Sequence, residues 1–274
     1  MGRAAEFLHY RFQPPLKTDG LFSLLREVGI EVDFVIEAGS HHGTDSLDLL
    51  AQKSVQKIFC FEPNPHCVAI FKDNFYSVPE ENYFFFDLGL SNVNKKAKLF
   101  IPQIDLGGFS NAEAGTASLN ENWARSDGSS FEIELVGLDE FFSKDYEKYF
   151  FGLQDCQGLL WLDVEGGALS ALNGMKETLK RISVAKIELE YAKQPGQWES
   201  RTIFQVIRLM FVSGFLPRSG YLHPISRGDM LFLRTRLMSP ITIFKCLSYL
   251  GLVVLFYWII YPIRGFLRKY LFKR

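Results

Sequence analysis

The sequence predicts a doubly wound, mostly parallel α/β sheet, and three observations point to it. Short apolar runs of strand length alternate with amphipathic runs between residues 32 and 234, as in successive βαβ units. A glycine-bearing turn, Glu37-Ala-Gly-Ser-His-His-Gly43, separates the first such strand from a helix start, and sheets of this class bind nucleotide-like ligands at such turns. The 274 residues, 47% of them apolar with 26 Phe, supply one large core and leave chain over for a small appendage.

The elements follow in order. Residues 1–18, with Pro14-Pro15, are a lead-in, and Asp19 to Val28 places Leu21, Leu24, Leu25 and Val28 on one helical face before Gly29 stops it. Strand one is expected at about 32–37, and its helix runs from the glycine turn to about Lys53. Gln56 to Glu62 is a second strand, Pro63-Asn-Pro65 breaks it, and His66 to Asn74 is helical. Further strands are expected at 82–86, 97–101, 131–136, 158–164, 184–190 and 230–234. Helices are expected from Leu138 to Phe142, from Ala168 to Leu179 with an interruption near Gly174, and from Ser200 to Val212. Residues 102–130, rich in Gly, Ser and Asn, read as a long loop and a candidate acceptor lid. The organisation is thus a lead-in and helix (1–29), a main domain (30–238) and a C-terminal segment (239–274).

Charge narrows the partners. Charged residues make up 22% with a net of -1, which gives no reason to expect nucleic acid. From residue 240 onward every charge is basic, so the preceding residues are net acidic. The four cysteines show no paired spacing and read as reduced thiols. Residues 1–6 lack the apolar stretch of a secretory signal, and Glu6 stands where a myristoylation pattern wants Ser or Thr.

The turn selects the ligand. Its glycines stand at 39 and 43, with His41 where a dinucleotide fingerprint has its middle glycine. That disfavours a nicotinamide oxidoreductase, and Glu37 before the turn would repel a pyrophosphate. A carboxylate there suits a cationic ligand such as S-adenosylmethionine, with Gly39, Ser40 and Gly43 shaping the turn. Glu62, at the end of strand two, can accept ribose hydroxyls, with Asn64 beside it, and Asp87-Leu88 at the end of strand three can meet the adenine.

These residues resemble the FkbM-type methyltransferases. The similarity rests on Glu37-Ala-Gly-Ser-His-His-Gly43, Phe61-Glu-Pro-Asn-Pro65, Leu90-Ser91, Leu138-Asp139, Trp161-Leu-Asp-Val-Glu-Gly166 and Leu172-Asn-Gly174, over roughly residues 30 to 235. It implies a Rossmann-like class I methyltransferase fold, S-adenosylmethionine as cofactor, and methylation of hydroxyls on sugars or natural products. The first motif of that family usually reads Asp-x-Gly-Ala-Asn-x-Gly, whereas this chain has Glu37, Ser40 and the pair His41-His42. A catalytically silent module that recruits a partner to membranes is the alternative.

Asp163 and Glu165, two apart at the end of a buried strand, are the expected catalytic carboxylates. Either can remove the acceptor's proton or orient its hydroxyl, and His41 or His42 is a rival base. A metal bridging Asp163 and Glu165 finds no further ligand spacing in the sequence, so no metal is expected. Of Glu188 and Glu190 on the next strand, one is expected to face the same crevice.

Ile241 to Ile263 carries only Lys245 as a charge, and its 23 residues suffice to cross a bilayer at about 1.5 Å per residue. Tyr257, Trp258 and Tyr261 resemble an aromatic belt, and Arg264 to Arg274 a basic surface helix. The expectation is a hydrophobic C-terminal helix holding a cytoplasm-facing catalytic domain at a membrane, with an acceptor presented there, such as a lipid-linked glycan.

Overall fold

The computed structural model describes residues 17–101, 117–119, 129–153, 156–190, 201–220 and 227–255. Helix α1 (Thr18–Glu27) leads into β1 (Phe34–Ala38), α2 (Thr44–Leu50), β2 (Lys57–Phe61), α3 (Pro65–Asn74) and β3 (Tyr83–Phe86). Strands β4 (Gly89–Leu90), β5 (Lys95–Ile101) and β6 (Ser129–Val136) follow, then α4 (Leu138–Lys144), α5 (Tyr146–Phe150), β7 (Gly158–Leu162) and α6 (Ala168–Asn173). The described chain closes with β8 (Ile182–Glu190), α7 (Arg201–Val212), β9 (Phe215–Gly220), β10 (Arg227–Arg234) and α8 (Pro240–Leu255).

Seven strands form the main sheet in the order β3-β2-β1-β7-β8-β10-β9. Its first five strands are parallel, and β10 runs antiparallel between β8 and β9. Strand order reverses between β1 and β7, so a crevice opens beyond the carboxyl ends of these two strands. The central strands are buried on both faces because helices cover both. Phe34, Ile36, Phe59, Leu160 and Ala185 pack on one side with α4 to α8. Val35, Ile58, Cys60, Leu159 and Val184 pack on the other with α1 to α3. The period of two decides which side each residue takes.

Two sequence expectations change, and a third holds. The strands read at 97–101 and 131–136 do not join the parallel sheet; β5 and β6 pair antiparallel in a separate sheet ordered β4-β6-β5. Their burial alternates with one wet face, unlike the continuous burial of β1 and β7. Strand β9 was not expected, since Pro217 and Arg218 interrupt its apolar run, and proline is tolerated in an edge strand. The interruption near Gly174 is real: α6 ends at Asn173 and a 3-10 turn occupies Thr178–Arg181.

Of the bilayer-length C-terminal segment expected, the described residues cover the first part. Over the described residues α8 has 16 residues, and Thr242, Cys246 and Tyr249 are buried along one side of it. That side packs on β9, while Ile241, Phe244 and Leu247 face outward. Among the described residues no helix is long and apolar enough to cross a membrane. The rest of the hydrophobic and basic segment, 256–274, lies outside the described residues. Arg234, just before the C-terminal segment, is buried: its guanidinium donates to the carbonyls of Ile182, Leu179 and Ser213 and stacks on Phe215. Burial pushes its pKa down to about 10.

Candidate active site

A cavity of about 720 Å³ occupies the crevice between β1 and β7, walled by the turns after β1, β2, β3 and β7. Gly39 makes the first turn possible. Its φ is +82, and a Cβ there would stand 1.8 Å from the Asp163 carbonyl oxygen, so only glycine lets the two strand ends close. The Asp163 N–H donates back to the Ala38 carbonyl at 2.9 Å. Gly43, with φ +77, opens α2 and presses on Phe71 and Phe75; it lies behind the cavity wall rather than on it.

Glu37 shares the face of Val35 and so points toward α2, where the Ser46 hydroxyl donates to its Oε2. Only 1% of it is exposed. Burial raises its pKa to about 8; the Ser46 hydrogen bond opposes the rise and Asp45 adds to it. Near neutral pH the carboxyl therefore carries its proton. Glu62 is tied differently. Its Oε2 accepts the His41 N–H and its Oε1 the Asn64 N–H, both at 2.8 Å. Burial raises its pKa, and those two N–H groups hold the rise back. One carboxylate thus clamps the first turn to the second. Asn64 caps α3 by accepting the His66 N–H at 3.1 Å.

Asp163, Glu165 and Glu188 converge at the other side of the cavity, with one carboxylate oxygen from each within 4.8 Å of the others. Glu188 is the β8 carboxylate that reaches the crevice; the side chain of Glu190 lies outside the described residues. Of the loop 102–130, the described part Ala117–Leu119 lies on the cavity wall, and the Ser118 hydroxyl donates to the Glu165 carbonyl at 3.1 Å.

The cavity therefore gathers Glu37, Gly39, Ser40, Glu62, Asn64, Leu88, Asp163 and Glu165. Asp87 is exposed and stands outside its wall, although Leu88 lines it; adjacent side chains of an extended segment point to opposite sides. Sequence reasoning missed Lys186 and Asp229. The Lys186 ammonium lies 3.7 Å over the Trp161 ring centroid and 3.3 Å from Asp229 Oδ2. A lone lysine inside the apolar run Val184-Ala-Lys-Ile187 was the available signal. Among the described residues the wall carries seven carboxylates besides the protonated Glu37, against two lysines, so its field favours a cation.

Known proteins place this arrangement. The sequence model of the Methyltransferase FkbM domain matches residues 37–221. A relative, "2-O-methyltransferase NoeI" of Sinorhizobium fredii (strain NBRC 101917 / NGR234), is 27% identical over 214 residues, covering 74% of this chain and 80% of that protein. Among solved structures, Methyltransferase FkbM from Methylobacillus flagellatus KT aligns with a TM-score of 0.44 and 10% identity over 73% of this chain. The chain spans only 43% of that protein's length. The methyltransferase domain of bacterial CtHen1 aligns at a TM-score of 0.42 and 12% identity, over 80% of this chain and 97% of its own. With the FkbM domain matched from the glycine turn to the end of β9, the chain belongs to the FkbM methyltransferase family.

Proposed function

We propose that the chain transfers a methyl group from S-adenosylmethionine to a hydroxyl oxygen of a sugar carried on a glycan, glycolipid or natural product. The observation that carries this reading is the acidic cavity at the β1/β7 crevice, with Glu37 and Glu62 at adjacent strand ends. Its residues fit the cofactor. Glu37 would face the ammonium and sulfonium end. Glu62 has one backbone N–H on each oxygen, which leaves a second lone pair on each for ribose hydroxyls. Leu88, Leu90 and Leu135 offer an apolar wall for the purine. When bound, S-adenosylmethionine supplies an electrophilic methyl group.

The chain's own task is to align the acceptor hydroxyl and receive its proton. Asp163, Glu165 and Glu188 stand at the cavity edge for that work, and no imidazole lies in their cluster. An oxygen acceptor is supported by the relative whose name is 2-O-methyltransferase. A membrane location is supported by the apolar and basic sequence of residues 241–274 alone, and a cytoplasm-facing catalytic domain only by the cytosolic supply of S-adenosylmethionine. Deletion of residues 240–274 followed by fractionation tests that part, and a protein without them that still pellets with membranes would refute a tail anchor.

The decisive test has two stages. Calorimetry with S-adenosylmethionine and with NAD should show binding of the first only. Transfer of labelled methyl groups into a membrane and glycan extract should then label a sugar oxygen. Failure to bind the cofactor defeats the reading, and binding without transfer to any glycan fraction defeats the sugar acceptor.

A further inference from the structure

His41, His42 and Cys67 meet on one wall of the cavity, as a cluster separate from Asp163, Glu165 and Glu188. Two of the three are consecutive. Consecutive side chains normally diverge, by about 100° around a helix or to opposite faces of a strand. Here His41 has φ +48, in the left-handed region, and the two imidazoles stack with centroids 3.7 Å apart and 22° between planes. A residue other than glycine in that region costs about 1–2 kcal/mol and persists where its surroundings fix it. They do: the His41 N–H donates to Glu62 at 2.8 Å, and the Asn74 amide donates to the His42 carbonyl at 2.7 Å. Asn74 ends α3, and Cys67 sits in the first turn of that helix, 1% exposed. The element that fixes the histidine turn therefore also delivers the thiol.

We propose that His41, His42 and Cys67 bind a thiophilic divalent cation of the zinc class. One donor atom from each residue lies within 4.8 Å of the others. In a tetrahedral zinc site, bonds of about 2.1 Å to nitrogen and 2.3 Å to sulfur put ligand atoms about 3.5 Å apart. The gap closes by rotating the imidazoles about χ2, a soft torsion, which turns both rings edge-on to the ion. Two nitrogens and one sulfur suit zinc and its neighbours and do not suit magnesium or calcium, which take oxygen. On binding, a metal–sulfur bond forms as the thiol proton leaves to solvent, and the imidazoles bind in their neutral form. The first turn of α3 favours the anionic sulfur through its aligned peptide dipoles. Three protein ligands leave the remaining coordination to water. Its ligands do not include Glu37, Asp163 or Glu165, and it is linked to the residues assigned to the cofactor through the His41 N–H on Glu62.

The test is a cobalt(II) titration of the metal-free, full-length chain. The expected result is one equivalent bound, with a near-ultraviolet sulfur-to-cobalt charge-transfer band that zinc removes and magnesium does not. Even the outer partners of metal ligands are worth about 10–100-fold in affinity. Cys67→Ser and His42→Ala should therefore each lose more than about a hundredfold, and Cys67→Ser should also lose the band. Cys156→Ser and Cys246→Ser should keep both. If a ligand variant melts early without metal, X-ray absorption of the zinc-loaded natural chain gives the same information, with one sulfur and at least two imidazole nitrogens expected around zinc. No binding of either ion, a band that survives Cys67→Ser, unchanged affinity in a folded His42→Ala, or a zinc shell without sulfur overturns the proposal.

Discussion

Gly39 and Asp163 touch through their backbones across the β1/β7 crevice: the space a Cβ on Gly39 would need is filled by the Asp163 carbonyl oxygen, 1.8 Å away. The turn that would hold the cofactor and the strand end that carries the candidate base are therefore one rigid unit. Gly39→Ala meets both a left-handed backbone, at φ +82, and a clash with main chain that cannot rotate away. A loss of about 2–5 kcal/mol is expected from strain plus overpacking. Chemical denaturation should show it, together with loss of S-adenosylmethionine binding in whatever fraction remains folded.

Glu37 makes stability depend on pH. Its folded pKa of about 8 lies above the ordinary value of 4.5, so the folded chain holds a proton that the unfolded chain releases. The stability this contributes is fully present below about 4.5 and is lost as pH rises through about 8. The slope from this group approaches about 1.4 kcal/mol per pH unit inside that window. Glu37→Gln should flatten the slope and leave the variant more stable than the natural chain at pH 9, as read from denaturant midpoints. Its affinity for S-adenosylmethionine should fall chiefly above about pH 8, where the natural carboxyl is ionised and an amide cannot match its charge. A variant with an unchanged pH slope would contradict the burial argument.

Much of this site was legible in the chain. Glu37, Glu62 and Asp163 each close an apolar run, and the ends of neighbouring parallel strands necessarily converge. His41 was legible only as a departure. Asparagine, usual at that place in the family, tolerates a left-handed backbone, and histidine shares that tolerance, so the substitution keeps the turn. Lys186 was hidden because a strand interior gives no sign of which cavity its polar residue serves; that depends on Trp161 and Asp229, which arrive from other strands. The β4-β6-β5 sheet was misassigned because periodicity reports that a segment is extended, not which sheet it joins.

The carboxylate trio separates binding from chemistry. Asp163, Glu165 and Glu188 lie together at the cavity edge, apart from the Glu37–Ser46 and Glu62–Asn64 contacts. If one of them receives the acceptor's proton, Asp163→Asn or Glu165→Gln should lower methyl transfer about 10²–10⁴-fold. Cofactor affinity by calorimetry should stay within a few fold. Parallel losses of affinity and turnover would instead assign that carboxylate to the cofactor.

Asp139 shows that a family motif need not be catalytic. Its N–H donates to the Gly174 carbonyl at 2.9 Å, and its carboxylate receives the N–H groups of Glu177 and Thr178 and the Thr178 hydroxyl, at 2.8–2.9 Å. Gly174 is fixed in turn, because a Cβ there would meet the Ser91 carbonyl oxygen at 2.0 Å. Asp139, Ser91 and Gly174 thus form one brace, and of these motifs Leu90 is the residue that lines the cavity. Hydrogen bonds to a charged group are worth about 1.5–3 kcal/mol each, and a partner left without its acceptor adds its own cost. Asp139→Ala should therefore destabilise the chain by about 2–4 kcal/mol, measured by urea denaturation. Asp139→Asn keeps one acceptor oxygen and should lose about half as much. Methyl transfer per folded molecule should be unchanged in both, and a loss of turnover in a fully folded Asp139→Asn would return this residue to the active site.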